Sequence, residues 1–308
     1  MTGDVFAPPY LYEKNINEWW CKSGILGEKA IHSSSSRLSV ALVALLAIAM
    51  SSTGELAQIG IRSLPEKGKM SIAPALGTSF AVGGDFINNA AETLVTADTI
   101  FGLTINLTIG IEAPSQDFSD VFDQPVTAGL GVNYGLSSSS EVFGALRYTR
   151  ARSNQFDALN VTASGTLDGT AFALSAAIQG NFDDYEDYGL EVGYRHFFNP
   201  INKFKPFVSV VGGLKRVSSM DLDLLSGGAS IVKLKFYDSS VAVTAGLNVG
   251  FRYDVSDGVA IGLETGVRYE GNLSDDDTDL AGGGSFENVN DDGDRVEIPI
   301  MVHVVISF

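Results

Sequence analysis

The sequence predicts an all-β protein: a transmembrane, antiparallel up-and-down β-barrel of eight strands, with ten as the alternative. Three observations predict it. Apolar residues recur at every second position over stretches of 10 to 13 residues, and the connections between those stretches alternate short and long. After residue 50 no apolar run is long enough for a helix to cross a bilayer, which takes about 20 residues, so any span has to be made of strands.

The first regular stretch is "IFGLTINLTIGIE", where Phe101, Leu103, Ile105, Leu107, Ile109 and Ile111 alternate with Gly102, Thr104, Asn106, Thr108, Gly110 and Glu112. The same period recurs in "VTAGLGVNYGL" (126–136), "VAVTAGLNVGFRY" (241–253) and "VAIGLETGVRYEG" (259–271). Less regular copies lie at 141–150, 187–198 and 205–217, and the closing stretch "VEIPIMVHVVISF" (296–308) makes eight. A soluble sandwich also alternates, but its strands average about 5 to 6 residues, whereas a tilted membrane strand needs about 9 to 11. The non-apolar face is Gly, Ala, Asn, Thr, Arg and Glu, which suits a tight lumen better than a solvent surface.

Turns at 137–140, 199–203 and 256–258 are short, while the connections at 112–124, 151–186, 217–240 and 271–295 are long. This is the periplasmic-turn and outer-loop rhythm of membrane barrels. With both termini on the inner side, Phe101, Tyr134, Phe198, Phe207, Tyr253 and Phe308 fall near the inner rim and Tyr148, Tyr188 and Tyr269 near the outer one, as two aromatic girdles. Residues 51–98 are expected to form a periplasmic or poorly ordered segment, a plug or an extra strand, with the barrel proper at 99–308. Residues 160–180 are apolar enough to pair as a hairpin above the membrane.

Residues 1–50 read as a leader, with Arg37 ahead of a signal-peptide core at about 39–50 that includes the unbroken apolar run Val40–Met50; a buried core helix is the alternative for that run. Cys21, the sole cysteine, lies in that leader beside Trp19 and Trp20, so a disulfide framework or cysteine chemistry is not expected in the mature chain. The formal charge of -17 disfavours nucleic acid as a partner, because phosphate contacts need a basic surface.

The Phe-terminated strand "IPIMVHVVISF" is similar to the assembly signal of bacterial outer-membrane proteins, and "GYRHFFNPINKFKPFVSVVGG" resembles their aromatic-ended strand, short turn and Pro-aromatic restart. Over residues 99–308 the chain thus resembles the eight-stranded OmpA-like and OmpX-like outer-membrane barrels, without the periplasmic peptidoglycan-binding domain that many OmpA-like proteins append. The resemblance implies a bacterial outer-membrane location and a monomer. It also implies outer-membrane lipid and lipopolysaccharide as surroundings, and barrel-assembly machinery and periplasmic chaperones as partners in biogenesis. Phe308, Ile306 and Val304 would carry the assembly signal.

The alternation also selects a lumen charge network: Arg147, Glu191, Arg195, Arg252, Glu264, Arg268 and Glu297. An eight-stranded interior is only wide enough for side chains, so these charges are expected to pair and hold the barrel closed. The competing reading is a small passive channel for ions or small solutes. Catalysis is disfavoured, since His196 and His303 are the only histidines after the leader and neither has a recognisable spacing to a serine and an acid. No cofactor is expected. The acidic run 271–294 offers Asp275, Asp277, Asp279, Asp292 and Asp294 as weak cation ligands, but without the EF-hand spacing, and a solvated loop is the plainer reading. The function expected is a structural or surface-interaction role through an acidic outer face.

Overall fold

The structure, a computed structural model, describes residues 65–100, 103–199, 203–276, 279, 284–291 and 293–308. The leader and its signal core lie outside the described residues, as do Phe101, Asp277 and Asp292. The described chain is almost entirely strand. In order these are β1 (Met70–Gly83), β2 (Asp85–Ile87), β3 (Ala90–Ile100), β4 (Leu103–Ala113), β5 (Gln116–Asp117), β6 (Val126–Gly135), β7 (Ser140–Ala151), β8 (Phe156–Leu167) and β9 (Thr170–Phe182). They continue with β10 (Tyr185–Phe197), β11 (Phe204–Val217), β12 (Met220–Ser226), β13 (Ala229–Asp238), β14 (Ser240–Ser256), β15 (Val259–Glu270), β16 (Ser274–Asp275) and β17 (Arg295–Ser307). One helical turn, Phe118–Val121, follows β5.

Eight strands close into a barrel in the order β1-β17-β15-β14-β11-β10-β7-β6, with β6 returning to β1 and every neighbour antiparallel. The outward row of each strand forms a lipid-compatible belt that includes Leu130, Leu146, Leu190, Leu214, Val243 and Leu247, all exposed. Closure pairs the chain's last strand with β1: Ser307 stands opposite Ser71, and the Phe308 N–H donates to the Met70 carbonyl (3.2 Å). No barrel strand is left with an unpaired edge, the condition for crossing hydrocarbon with strands.

One strand is not where the sequence puts it. The stretch 103–113 lies outside the barrel, and Met70–Gly83, left among the unassigned residues 51–98, is the first barrel strand. The boundary expected at 98/99 therefore does not divide the molecule. Both stretches alternate, and alternation cannot tell lipid from water on the apolar side. Pro74 masks the true strand: it has no N–H to donate, and the β1–β17 ladder passes from Ile72 to Ala75 without a partner for Ala73 or Pro74.

The remaining strands stand on the four long connections as a crown. Seven of them form one sheet in the order β16-β13-β12-β9-β8-β4-β3, and β2 pairs with β5. Residues 160–180 form the body of the β8–β9 hairpin, turned by Asp168 (φ 47°) and Gly169 (φ 80°). Two successive left-handed residues make the tight turn whose twist matches the strands, and an Asp-Gly pair adopts it readily. The crown's base packs over the barrel mouth as a core of Phe86, Phe118, Phe122, Phe156, Phe182 and Phe236, joined by Tyr185, Tyr237, Val121 and Val289.

Candidate functional site

The lumen is the first candidate. Strand parity turns Glu141, Arg147, Glu191, Arg195, Arg252, Glu264 and Arg268 inward, and they form one chain of alternating sign. Arg252 and Arg195 both bond Glu141, with Nη1 contacts of 2.8 and 2.6 Å. Arg195 Nη2 reaches Glu264 (2.8 Å), and Glu264 lies 3.7 Å from Arg147 Nη2. Arg147 Nε donates to Glu191 (2.5 Å), which also holds Arg268 Nη1 (2.7 Å). Nearer the outer end, Lys215 bridges Asp187 (3.1 Å) and Glu270, Arg295 bonds Glu270 (2.5 Å), and Ser79 donates to Glu297 (2.7 Å). These six cations and six anions balance, which is what a low-dielectric interior demands of buried charge.

Rings complete the packing. The Arg195 guanidinium is sandwiched between Phe143 (4.6 Å) and Phe207 (4.5 Å), and Arg252 lies over Phe197 (4.8 Å). Phe207 thus faces the lumen, 1% exposed, and not the inner girdle expected of it; odd-numbered residues of β11 point inward with Ser209 and Lys215. Tyr134, Phe198, Tyr253 and Phe308 are exposed at the inner rim, and Tyr188 and Tyr269 at the outer. A cavity of about 30 Å³ remains, lined by residues including Gly129, Arg195, Glu264 and His303, enough for about one or two waters and far from a pore.

The barrel's outer mouth is covered by the aromatic core. Phe182 stacks on Phe156 (5.7 Å, 9°) and meets Phe86 edge-on (5.5 Å), while Tyr237 donates its hydroxyl to the Phe86 carbonyl (2.6 Å). Arg295 joins the two regions: it lies 4.2 Å from the Phe118 ring centroid, donates to the Tyr185 hydroxyl (2.9 Å) and salt-bridges to Glu270.

The sequence pattern does not single out Glu141, Asp187, Lys215, Glu270 or Arg295, although all but Lys215 share parity with a selected charge on the same strand; β11 has no selected charge. Four of them stand near the ends of the predicted strands 141–150, 187–198, 205–217 and 259–271, and Arg295 in the predicted connection 271–295. His303 lies in the lumen against Gly262, its Nε2 unbonded, and His196 sits on the outer face against Phe198 (5.7 Å). Among the described residues neither histidine is hydrogen-bonded to a serine or a carboxylate. Ile306 lies on the outward row opposite Ile72. Val304, opposite Ile261, is only 4% exposed and so is not open to acyl chains as its outward position suggests.

The acidic candidates do not converge. Asp275 pairs with Tyr237 in the sheet, Asp279 accepts the Lys235 backbone N–H (2.9 Å), and Asp294 lies beside the Tyr269 hydroxyl. Among the described residues no three His, Cys, Asp or Glu side chains gather around a common point. At the crown's base, the Asp117 carboxyl is held above the usual carboxylate range by burial and by its neighbours Asp120 and Asp85.

Pairing, outward belt and packed interior together define the class: an eight-stranded antiparallel barrel of the small transmembrane type, with a sheet displayed on its long connections. No protein-family model matches the sequence, and no curated protein matches it. Among solved structures the chain is similar to Neisserial surface protein A, at TM-score 0.36 and 15% identity over 79% of this chain and 98% of that one. It is also similar to Ail, the attachment invasion locus protein of Yersinia pestis, at TM-score 0.35 and 14% identity over 79% and 99%. A third is the Pseudomonas putida toluene transporter TodX, at TM-score 0.22 and 10% identity over 82% and 93%.

Proposed function

We propose that this chain is an outer-membrane anchor with a closed lumen, and that its work is done by the crown as a surface-interaction module. The observation that carries the reading is the double closure of the barrel: a continuous ion-pair chain through the interior and an aromatic core over the outer mouth. A passive channel would need that chain to part and the core to lift, at several kcal/mol for each buried pair broken. The leucine and valine belt between aromatic rims supports membrane insertion. Lipopolysaccharide around the belt, assembly machinery and chaperones during insertion, and a monomeric state follow from the same reading.

The test is single-channel recording of the refolded chain in planar bilayers, combined with protease shaving of intact cells. Silence from inserted barrels and cleavage within the crown are expected. A reproducible conductance overturns the closed-anchor reading in favour of the channel, and a crown protected in intact cells overturns its display at the surface.

A further inference from the structure

The distal crown is a four-stranded sheet, β3-β4-β8-β9, whose two faces differ in chemistry. The register puts Leu94, Ile109, Ala163 and Leu174 in one cross-strand row. The flanking rows on that face are Glu92, Ile111, Val161 and Ala176 on one side, and Thr96, Leu107, Gly165 and Phe172 on the other. The opposite face carries Val95, Thr108, Ser164 and Ala173 in one row and Ala97, Asn106, Thr166 and Ala171 in the next, with Asn106 donating to Thr166 (3.2 Å). At its base the apolar face begins as part of the wall of the aromatic core, where Leu159 and Ile178 pack. It then runs on past that core with Leu94 55% and Leu174 69% exposed. Ala163 and Gly165 make the middle strand low, so that Leu107 and Ile109 on one side and Phe172 and Leu174 on the other stand as ridges. The β12–β13 hairpin meets β9 only at Gln179–Phe182 and leaves the distal part uncovered among the described residues.

Charge says what fits. The four segments that build the crown, 84–125, 152–184, 218–239 and 271–294, hold seven, four, three and eight acidic residues against three basic ones, Arg152, Lys233 and Lys235. Lys233 already lies 3.2 Å from Asp183 and 3.3 Å from Asp221. Glu92 and Asp98 stand on the β3 margin of the apolar face itself. Such a surface repels anionic lipid and nucleic acid and attracts cations, while an apolar face of this extent in water marks a binding surface. Three strand spacings make the face roughly 14 Å wide and seven residues make it about 20 Å long, the footprint of one α-helix of about 14 residues.

We infer that the apolar face of β3-β4-β8-β9 docks a cationic amphipathic helix, its apolar side in the low track of β8 and its lysines or arginines toward Glu92 and Asp98. The inference rests on the crown being displayed in water, as proposed above.

The probe is a fluorescent 18-residue amphipathic helix of Leu, Ala and Lys, titrated onto the full chain in zwitterionic nanodiscs, with empty nanodiscs and a Lys-to-Glu helix as controls. At least tenfold tighter binding of the Lys helix than of the Glu helix is expected. The double variant Ile109→Thr/Leu174→Thr, which keeps β-propensity, should weaken it tenfold or more. Glu92→Gln/Asp98→Asn lies at the exposed margin, so the fold is spared; it should weaken binding about threefold and flatten its salt dependence. Equal binding by the two helices, or wild-type affinity and salt dependence in both variants, overturns the inference. So does self-association of the wild-type chain that the threonine pair abolishes, because a second copy would then be the occupant. Conductance bears on the closed anchor alone: a conducting barrel that still binds the helix would overturn that reading and leave this one standing.

Discussion

The barrel wall and the distal crown are built from the same alternation of apolar and small polar residues, yet their solvents are opposite. In the wall, apolar side chains face outward to lipid and the polar row is sealed in a lumen. In the distal crown both rows are exposed, and beyond its base, where Leu159 and Ile178 join the aromatic core and Gly284 lies beside Glu92, the apolar face runs on with Leu94 and Leu174 uncovered. Period therefore specifies strand and face; what lies beyond the face is set by closure. The wall closes through β1 and β17 and has to satisfy its inner charges internally, whereas the crown stays an open sheet and can leave Leu174 exposed.

The largest effect should come from the sealed side of the wall. Glu141→Ala leaves Arg195 and Arg252 buried without their shared carboxylate and should cost about 3–5 kcal/mol, read as loss of the heat-modifiable gel shift at lower urea. Phe182→Ala should cost a similar amount or slightly less, about 3–5 kcal/mol, but confined to the aromatic core. Cleavage between β8 and β10 should then rise while the barrel keeps its gel shift; simultaneous loss of both would mean that wall and crown are one cooperative unit.

A matched pair sharpens the contrast of solvents. Leu190→Arg on the belt should destabilise the inserted barrel by about 2–4 kcal/mol in reversible unfolding from vesicles, whereas Leu174→Arg in the crown should stay within about 0.5 kcal/mol. Equal penalties would place the crown's apolar face in lipid.

The smallest effect is electrostatic and local. Because the folded state raises the Asp117 pKa, the neutral acid is favoured on folding; that contribution is present at acid pH and is lost as pH rises through the folded pKa. Asp117→Asn, which can still cap the Phe118–Val121 turn, should slow amide exchange there slightly at pH 7 and leave it unchanged at low pH.

Much of this was legible in the residues. Seven of the eight barrel strands could be read from period and length, because lipid on one side and a packed lumen on the other enforce strict alternation. The seven lumen charges could be read from parity, which a strand preserves along its whole length. Met70–Gly83 could not, since Pro74 and a run of small inward residues blur its signal. Phe207 was assigned to a rim although its parity points inward, where it stacks on Arg195. The crown's order depends on which hairpin meets which, as where Gln179–Phe182 pairs with Leu222–Leu225, and that information is not local.

All four outer connections contribute to the aromatic core: Phe86 and Phe118 from the first, Phe156 and Phe182 from the second, Phe236 from the third, Leu273 and Val289 from the fourth. Those groups are up to about 200 positions apart in the chain, and the first and fourth connections, which meet where the Asn88 N–H donates to the Val289 carbonyl, stand at opposite edges of the sheet until β17 pairs with β1. The cap is consequently a late event in assembly, with the loop-closure entropy of the whole barrel already spent. A chain stalled with its last strand unpaired would show its phenylalanines to water. A finished one hides them, so that completion of the wall is reported at the surface by the disappearance of a sticky patch.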